Sequence, residues 1–334
     1  MCLAIILLVS VLVSTCLVIP RTMETIPHHP LIQVTQEDLA KAREFYGISD
    51  VKRIRESLDA VDDWCQKQSH LVQKNLNRNI LERLFLMSRG SVEGTKKRID
   101  GLFTARGMMP ELSLNRTVEE FDRFWDGINY VPLPKLCQSD SSRVMVTQLL
   151  TDNIDDFNLL TYFRYCFLVG EYRLHFDYSL SERYIIDLKN FSLSHLSKVS
   201  PMTVKKSEVL ATEGFGTKIK GIHILNAPPF VDKVVFLLKS ALKEKVASRL
   251  HVHSTYADLH KHIPKEILPR DYDGDEQSVS KLAAQWKDEL RTDAARKLIK
   301  ELDNLRTDET KRQTGKFNEE YLGMPGSFRT LSVD

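Results

Sequence analysis

Apolar positions change their spacing twice along the chain, and each change marks a different kind of structure. Val51, Ile54, Leu58, Val61 and Cys65 recur at helical intervals, which predicts an amphipathic helix over 49–70. Before it, Thr35 with Asp38 three residues on predicts an N-cap opening a helix over 35–46 that Gly47 ends. Helical segments are also expected at 79–88, 91–104 and 118–125, so 35–125 reads as an all-helical domain. The texture shifts at Pro132 and Pro134. Short, β-branched apolar runs at 143–149, 184–188, 219–226 and 250–253 predict buried strands. Between them lie helical patterns at 156–177, 194–213, 231–241 and 243–249. Buried strands alternating with helices predict an α/β domain over 126–275 with a mostly parallel, helix-covered sheet. Beyond it, Leu282, Trp286, Leu290, Leu298, Leu302 and Leu305 make one stripe of a long amphipathic helix, within an extension over 276–334 that ends in an irregular tail.

Composition narrows the function. The 334 residues suffice for one large domain and a smaller one, with a core able to enclose a ligand. Lys and Arg number 47 against 45 Asp and Glu, so no broad basic footprint exists and a nucleic-acid partner is not expected. Cys2, Cys16, Cys65, Cys137 and Cys166 contain no Cys-x-x-Cys pair and read as reduced thiols in a cytoplasmic protein. Residues 1–20 are discordant, being uncharged and almost wholly apolar. They fit a signal peptide or a signal anchor, although no Lys or Arg precedes the apolar core and Val18-Ile19-Pro20 is a bulky cleavage region. The other reading takes Met23 as the working start. Residues 1–34 thus form the apolar run and a flexible arm.

Candidate chemistry is sparse. His251-x-His253 and His260-x-His262 invite a metal, but no carboxylate or thiol is spaced to complete a set, so none is expected. Asp271 through Glu276 has Glu where a calcium loop needs its Gly. Gly214-x-Gly216 precedes a strand and lacks the third Gly of a dinucleotide site. No phosphate-binding loop or nucleophile elbow occurs, and Cys166 on an apolar helix reads as a buried thiol. No cofactor and no catalytic set are expected. Sequons at Asn115 and Asn190 matter only in a secreted chain. Lys239, Lys243, Lys245 and Arg249, with Lys218 and Lys220 on the preceding strand, read either as a solvated face or as a patch for anionic lipid head groups.

Four segments occur in a telling order: ILERLFLMSRGSVEGTKKRI, YIIDLKNFSLSHLSKVSPMTVKK, KIKGIHILNAPPFVDKVVFLLKSALKEKVASRLHVHS and IPKEILPRDYDG. Together they resemble the CRAL-TRIO lipid carriers, whose members include the α-tocopherol transfer protein, the cellular retinaldehyde-binding protein and yeast phosphatidylinositol transfer proteins. ILERLFLMSRGSVEGTKKRI resembles the helical signature before the lipid-binding domain. YIIDLKNFSLSHLSKVSPMTVKK looks like the strand with Asp187 and the helix entry. KIKGIHILNAPPFVDKVVFLLKSALKEKVASRLHVHS resembles the strand ending in Asn-x-Pro, the gate helix and the Glu-Lys turn. IPKEILPRDYDG matches the Leu-Pro-x-x-Tyr-x-Gly ending, and GSFRTLSVD looks like the tail of the insect tocopherol- and retinaldehyde-carrier-like branch.

The resemblance implies an intracellular monomer that binds and transfers a small hydrophobic ligand and docks on phosphoinositide membranes. A membrane-tethered adaptor with a vestigial pocket is the alternative. The implied pocket takes Phe163, Cys166, Phe167 and Gly170 from one helix, Ile185 from the strand floor, and Val234, Val235 and Leu238 from the gate. The implied phosphoinositide patch is Lys218, Lys245 and Arg249. Two departures stand out. Met87 replaces a basic residue of the family's helical signature, which weakens the patch, and Gly170 stands where the tocopherol carrier has a ligand-contacting serine.

Overall fold

The computed structural model describes residues 26–312. The apolar run over 1–20, Met23 and the C-terminal tail lie outside the described residues. α1 (Gln36–Phe45) opens on the expected capping box, in which Thr35 accepts from the Asp38 amide and the Asp38 carboxylate accepts from the Thr35 amide. α2 (Val51–Lys67) buries Ile54, Leu58, Val61 and Cys65 on one stripe. Against it pack α3 (Arg78–Met87), α4 (Val92–Met108) and the short α5 (Pro110–Ser113), and α6 (Asp122–Gly127) leads into the sheet.

Among the described residues, five strands follow in sequence order across one sheet: β1 (Ile128–Pro132), β2 (Ser142–Leu149), β3 (Ser181–Asp187), β4 (Ile219–Leu225) and β5 (Leu250–Val252). β2 through β5 are parallel, and β1 pairs antiparallel with β2, with Val131 opposite Val146. β1 is an addition to the expected strands. All five of its residues are buried, so no alternation marks it, and Pro132 at its end reads as a breaker. The crossovers are α7 (Leu159–Arg173), α8 (Leu193–Ser197) with α9 (Pro201–Val209), and α10 (Val231–Ala241) with α11 (Glu244–Ala247). The single helix expected over 194–213 is therefore two helices and a wide final turn at Leu210–Gly214, because Ser200 caps a new helix with Pro201 at its first position.

α12 (Tyr256–His260), α13 (Val279–Leu290) and α14 (Asp293–Leu302) complete the described chain. The long C-terminal helix expected from the leucine stripe breaks at Thr292, which caps α14 by accepting from the Ala295 amide. Trp286, Leu282 and Leu290 of α13 are fully buried in the core with Val144, Val146, Ile185 and Leu225 on one face of the sheet. The opposite face of the sheet meets α7 and α10. Among the described residues, no helix is long and apolar enough to cross a membrane.

Candidate functional site

Strand alternation decides which sheet residues can meet a ligand. Tyr130 of β1, Thr147 of β2, Tyr184 and Ile186 of β3 and Ile222 of β4 share one face and form the floor of a cavity of about 260 Å³. α7 forms a wall with Phe163, Cys166, Phe167 and Gly170, spaced at i, i+3, i+4 and i+7 so that they lie along one side. Its other side sends Tyr165, Leu168 and Val169 into the core behind, so the helix is apolar toward both the cavity and the core. α10 covers the floor with Val234, Leu237, Leu238 and Leu242 just beyond its end. Phe191, Leu196, Val204 and Phe215 close the side, and α3 contributes Arg83 and Met87.

Six of the eight residues expected in the pocket therefore line this cavity: Phe163, Cys166, Phe167, Gly170, Val234 and Leu238. Ile185 does not. Its neighbours Tyr184 and Ile186 point into the cavity, so Ile185 points the other way and is fully buried behind the sheet. Val235 is also off the wall. It packs beneath α10 against the cluster of Leu188, Ile224 and Val234, and Leu237 stands on the cavity side in its place. At Gly170 an added Cβ would meet no atom within 4 Å, so the missing side chain widens the cavity. Met87, noted in the sequence as the loss of a basic residue, is an apolar piece of wall.

The polar wall residues were not anticipated. Arg173 Nη1 lies 2.9 Å from Glu182 Oε1, and Arg173 Nη2 lies 2.6 Å from Asp177 Oδ2. Arg143 shares Asp177, with Nη2 to Oδ1 at 2.9 Å, and the three charges are sealed from solvent. These guanidiniums hold the Asp177 carboxyl well below the usual carboxylate range despite its burial. The Tyr184 hydroxyl donates to Glu182 Oε2. Tyr162 and Thr147 hydroxyls are bonded at 2.9 Å. Arg83 is 7% exposed, and its Nε and Nη1 have no hydrogen-bond partner. The one sequence signal for it is a charged residue inside the apolar run of α3. Burial pushes the Cys166 thiol well up, so it is neutral and unreactive there.

α10 is lightly seated. Only Val234 and Ala241 are buried along its eleven residues, and Phe236 is 76% exposed on its outer side. Leu193 of α8 and Met202 of α9 are also exposed apolar side chains. Lys218 and Arg249 immediately precede the adjacent strands β4 and β5. The Lys218 ammonium bonds the Tyr46 hydroxyl and lies 4.8 Å from that ring's centroid, and the Arg249 guanidinium donates to the Ile219 carbonyl. Lys245 on α11 is exposed.

The ends of the strands are tied by Asp187. It accepts from the Lys189 amide at 3.0 Å, from Asn226 Nδ2 at 2.8 Å and from the Tyr272 hydroxyl at 3.2 Å. The strand carrying Asp187, the Asn-x-Pro exit and the Tyr-x-Gly ending thus meet at one carboxylate. His251 and His253 face His223 across β5 and β4 and approach His262, whereas His260 Nε2 bonds the Tyr272 carbonyl at 2.9 Å. Among the described residues, no group of three or more His, Cys, Asp or Glu is set to hold a metal ion.

The CRAL/TRIO domain family matches residues 136–274. Over 91 residues, 27% of this chain, the sequence is 37% identical to an alpha-tocopherol transfer protein-like protein of Mus musculus and 32% identical to clavesin-1 of Rattus norvegicus. The match spans about a quarter of the length of these relatives, 26% in each. A solved structure, that of Sfh5, is similar over 75% of this chain and 93% of its own at 10% identity, with a TM-score of 0.38.

Proposed function

We propose that this chain, whose residues 136–274 match the CRAL/TRIO domain family, binds a small hydrophobic ligand between its sheet and α10 and transfers it at a membrane surface. The observation that carries this reading is the cavity itself, walled by apolar side chains of the sheet, α7 and α10. A vestigial pocket would be filled by its own side chains. Here Gly170 leaves space where most residues would fill it. Burying about 300 Å² of ligand surface at about 25 cal/mol/Å² favours binding by about 7.5 kcal/mol before the costs of association.

α10 serves as the gate. Its light burial makes it the wall that opens at least cost. The exposed Phe236 and Met202 supply apolar contacts for a bilayer surface, and Lys245 supplies charge for anionic head groups, each such residue contributing on the order of 1 kcal/mol. Phosphoinositides are the proposed lipids at the patch of Lys218, Lys245 and Arg249. Tyr46 already engages Lys218 and the Ile219 carbonyl engages Arg249, so Lys245 is the freest of the three. The function needs no catalytic step.

The test compares wild type with Gly170→Leu, using diphenylhexatriene as a neutral apolar probe on lipid-stripped protein. Wild type should retain the probe through gel filtration. Gly170→Leu should bind it at least tenfold more weakly while unfolding at the same temperature or higher, because leucine fills the cavity and favours the helix. Equal retention by both proteins, or none by wild type, overturns the reading. For docking, Lys245→Glu should reduce binding to vesicles containing phosphatidylinositol bisphosphate by severalfold at 0.1 M salt. Unchanged vesicle binding would make the patch a solvated face.

A further inference from the structure

A cavity built for a neutral hydrocarbon has no use for an uncompensated buried cation, yet this one carries such a group. Arg83 is a wall residue, 7% exposed, and its Nε and Nη1 are buried without acceptors. A guanidinium stays charged in proteins, and leaving its donors unmet in an apolar setting is costly. Nearby carboxylates do not answer it by hydrogen bonds. Asp177 is bonded by Arg143 and Arg173, and Glu182 by Arg173 and Tyr184. Glu82, the next residue in the chain, bonds Arg43 at 2.7–2.8 Å. Asp177 and Glu182 are the carboxylates that act most strongly on Arg83, and both are already bonded by other arginines, so Arg83 has no counter-ion of its own among them. The remaining wall carboxylate, Glu208, accepts from the Thr212 hydroxyl at 3.1 Å through Oε1, while its Oε2 has no hydrogen bond and only Lys205 Nζ at 4.0 Å.

We infer that Arg83 receives the ionised acid group of an amphiphilic ligand, and that the cargo is a single-chain lipid acid whose carboxylate bonds this guanidinium while its chain lies along the aromatic and aliphatic walls. Charge-assisted hydrogen bonds are the strongest of their kind, and a site that must satisfy a buried charge discriminates against an analogue lacking the partner far better than shape alone does. The cavity volume, about 260 Å³, is at the small end of ligand sites and suits one chain better than two. The inference rests on the proposed ligand-binding role and adds to it the chemistry of the head group.

The experiment measures displacement of diphenylhexatriene from lipid-stripped, full-length protein at neutral pH by palmitate, by hexadecanol, which has the same chain without the acid, and by acetate, which has the acid without the chain. Palmitate should displace the probe at a concentration at least tenfold below that of hexadecanol, and acetate should displace none. Arg83→Gln should erase the palmitate preference while still retaining the probe. Because that variant removes a buried charge and can perturb folding, the palmitate-to-hexadecanol ratio of wild type decides by itself whether the cavity takes an acid, and the variant decides which residue receives it. Equal displacement by the two in wild type means that water satisfies Arg83 and overturns the inference, while leaving the ligand-binding role intact. A preference that survives in Arg83→Gln overturns the assignment to Arg83. Failure of wild type to retain the probe at all overturns both.

Discussion

Two single residues carry more of the architecture than their size suggests. Glu171 of α7 is sealed from solvent between two guanidiniums, with Arg106 Nη1 3.0 Å from its Oε2 and Arg116 bonded to the same oxygen. Arg106 also donates to the Leu302 carbonyl at 2.9 Å, so one buried cluster joins α4, α7 and the end of α14. Removing the central charge leaves two buried cations with only the half-buried Asp303 as counter-charge, which is worse than never having buried them. Glu171→Gln is therefore expected to cost about 3 kcal/mol or more in urea unfolding. A loss under 1 kcal/mol would show that the cluster is solvated. Gly274 acts through space instead of charge. A Cβ there would fall 2.0 Å from the Leu268 carbonyl oxygen, a backbone atom that cannot swing aside. Gly274→Ala should thus destabilise by about 1–3 kcal/mol, seen as a lower melting temperature. The Leu-Pro-x-x-Tyr-x-Gly segment makes this glycine conspicuous in the sequence, but the Glu171 cluster brings together residues too far apart in the chain for any local pattern to reveal.

At the scale of elements, α10 and β3 show where local pattern suffices and where it does not. The helix over 231–241 is legible from its spacing alone. Which of its residues face the cavity is not, because the stripe is broad: Val234, Val235 and Leu238 all look inward from the sequence, and only packing against Leu188 and Ile224 turns Val235 off the wall. β3 poses the same problem with a sharper answer. Both faces of a parallel strand are buried, so Tyr184, Ile185 and Ile186 give no alternation to read, and one step of register exchanges cavity for core. The gate supplies an ordered prediction. Leu238→Asp places a carboxylate on the cavity wall and should speed escape of a bound apolar probe at least tenfold. Val235→Asp should affect escape less and thermal stability more, since its side chain packs under the helix. The two properties, read by stopped-flow probe loss and by thermal melting, check the order, and the reverse ranking would place Val235 on the wall after all.

For the whole molecule, the α/β alternation, the parallel sheet and the helical N-terminal region are legible because each strand and each crossover is a local signal repeated along the chain. What escapes is the convergence of distant polar groups, and the histidines are the clearest case. His251 and His253 share a strand face as their spacing demands, but His223 and His262 join them only through the sheet and the turn after α12. Ring centroids lie 4.8–6.2 Å apart, and His223 Nδ1 bonds His253 Nε2 at 2.9 Å. The charged groups about them, Arg183 paired to Asp140, and Lys261 with Asp258, bring no spare anion. Burial first, then the neighbouring rings and Arg183, push His223 down to about 3, and His251 and His253 are lowered by the same first cause. Between the ordinary histidine value of about 6.5 and about 3, the unfolded chain takes up protons that folded His223 refuses, so stability is complete above about pH 6.5 and falls as pH drops. One such group contributes a slope of about 1.4 kcal/mol per pH unit within that window. Carboxylates also titrate toward the lower end of the window from about 6.5 to about 4.5, Glu82, Glu171 and Asp303 among them with raised values, but they do so alike in wild type and in a His223 variant, so the difference between the two profiles isolates this histidine. His223→Leu, which keeps the site apolar and removes the proton acceptor, should flatten the fall in urea midpoint across that window relative to wild type. Parallel pH profiles for the two proteins would mean that the rings protonate together in the folded state and separate without cost.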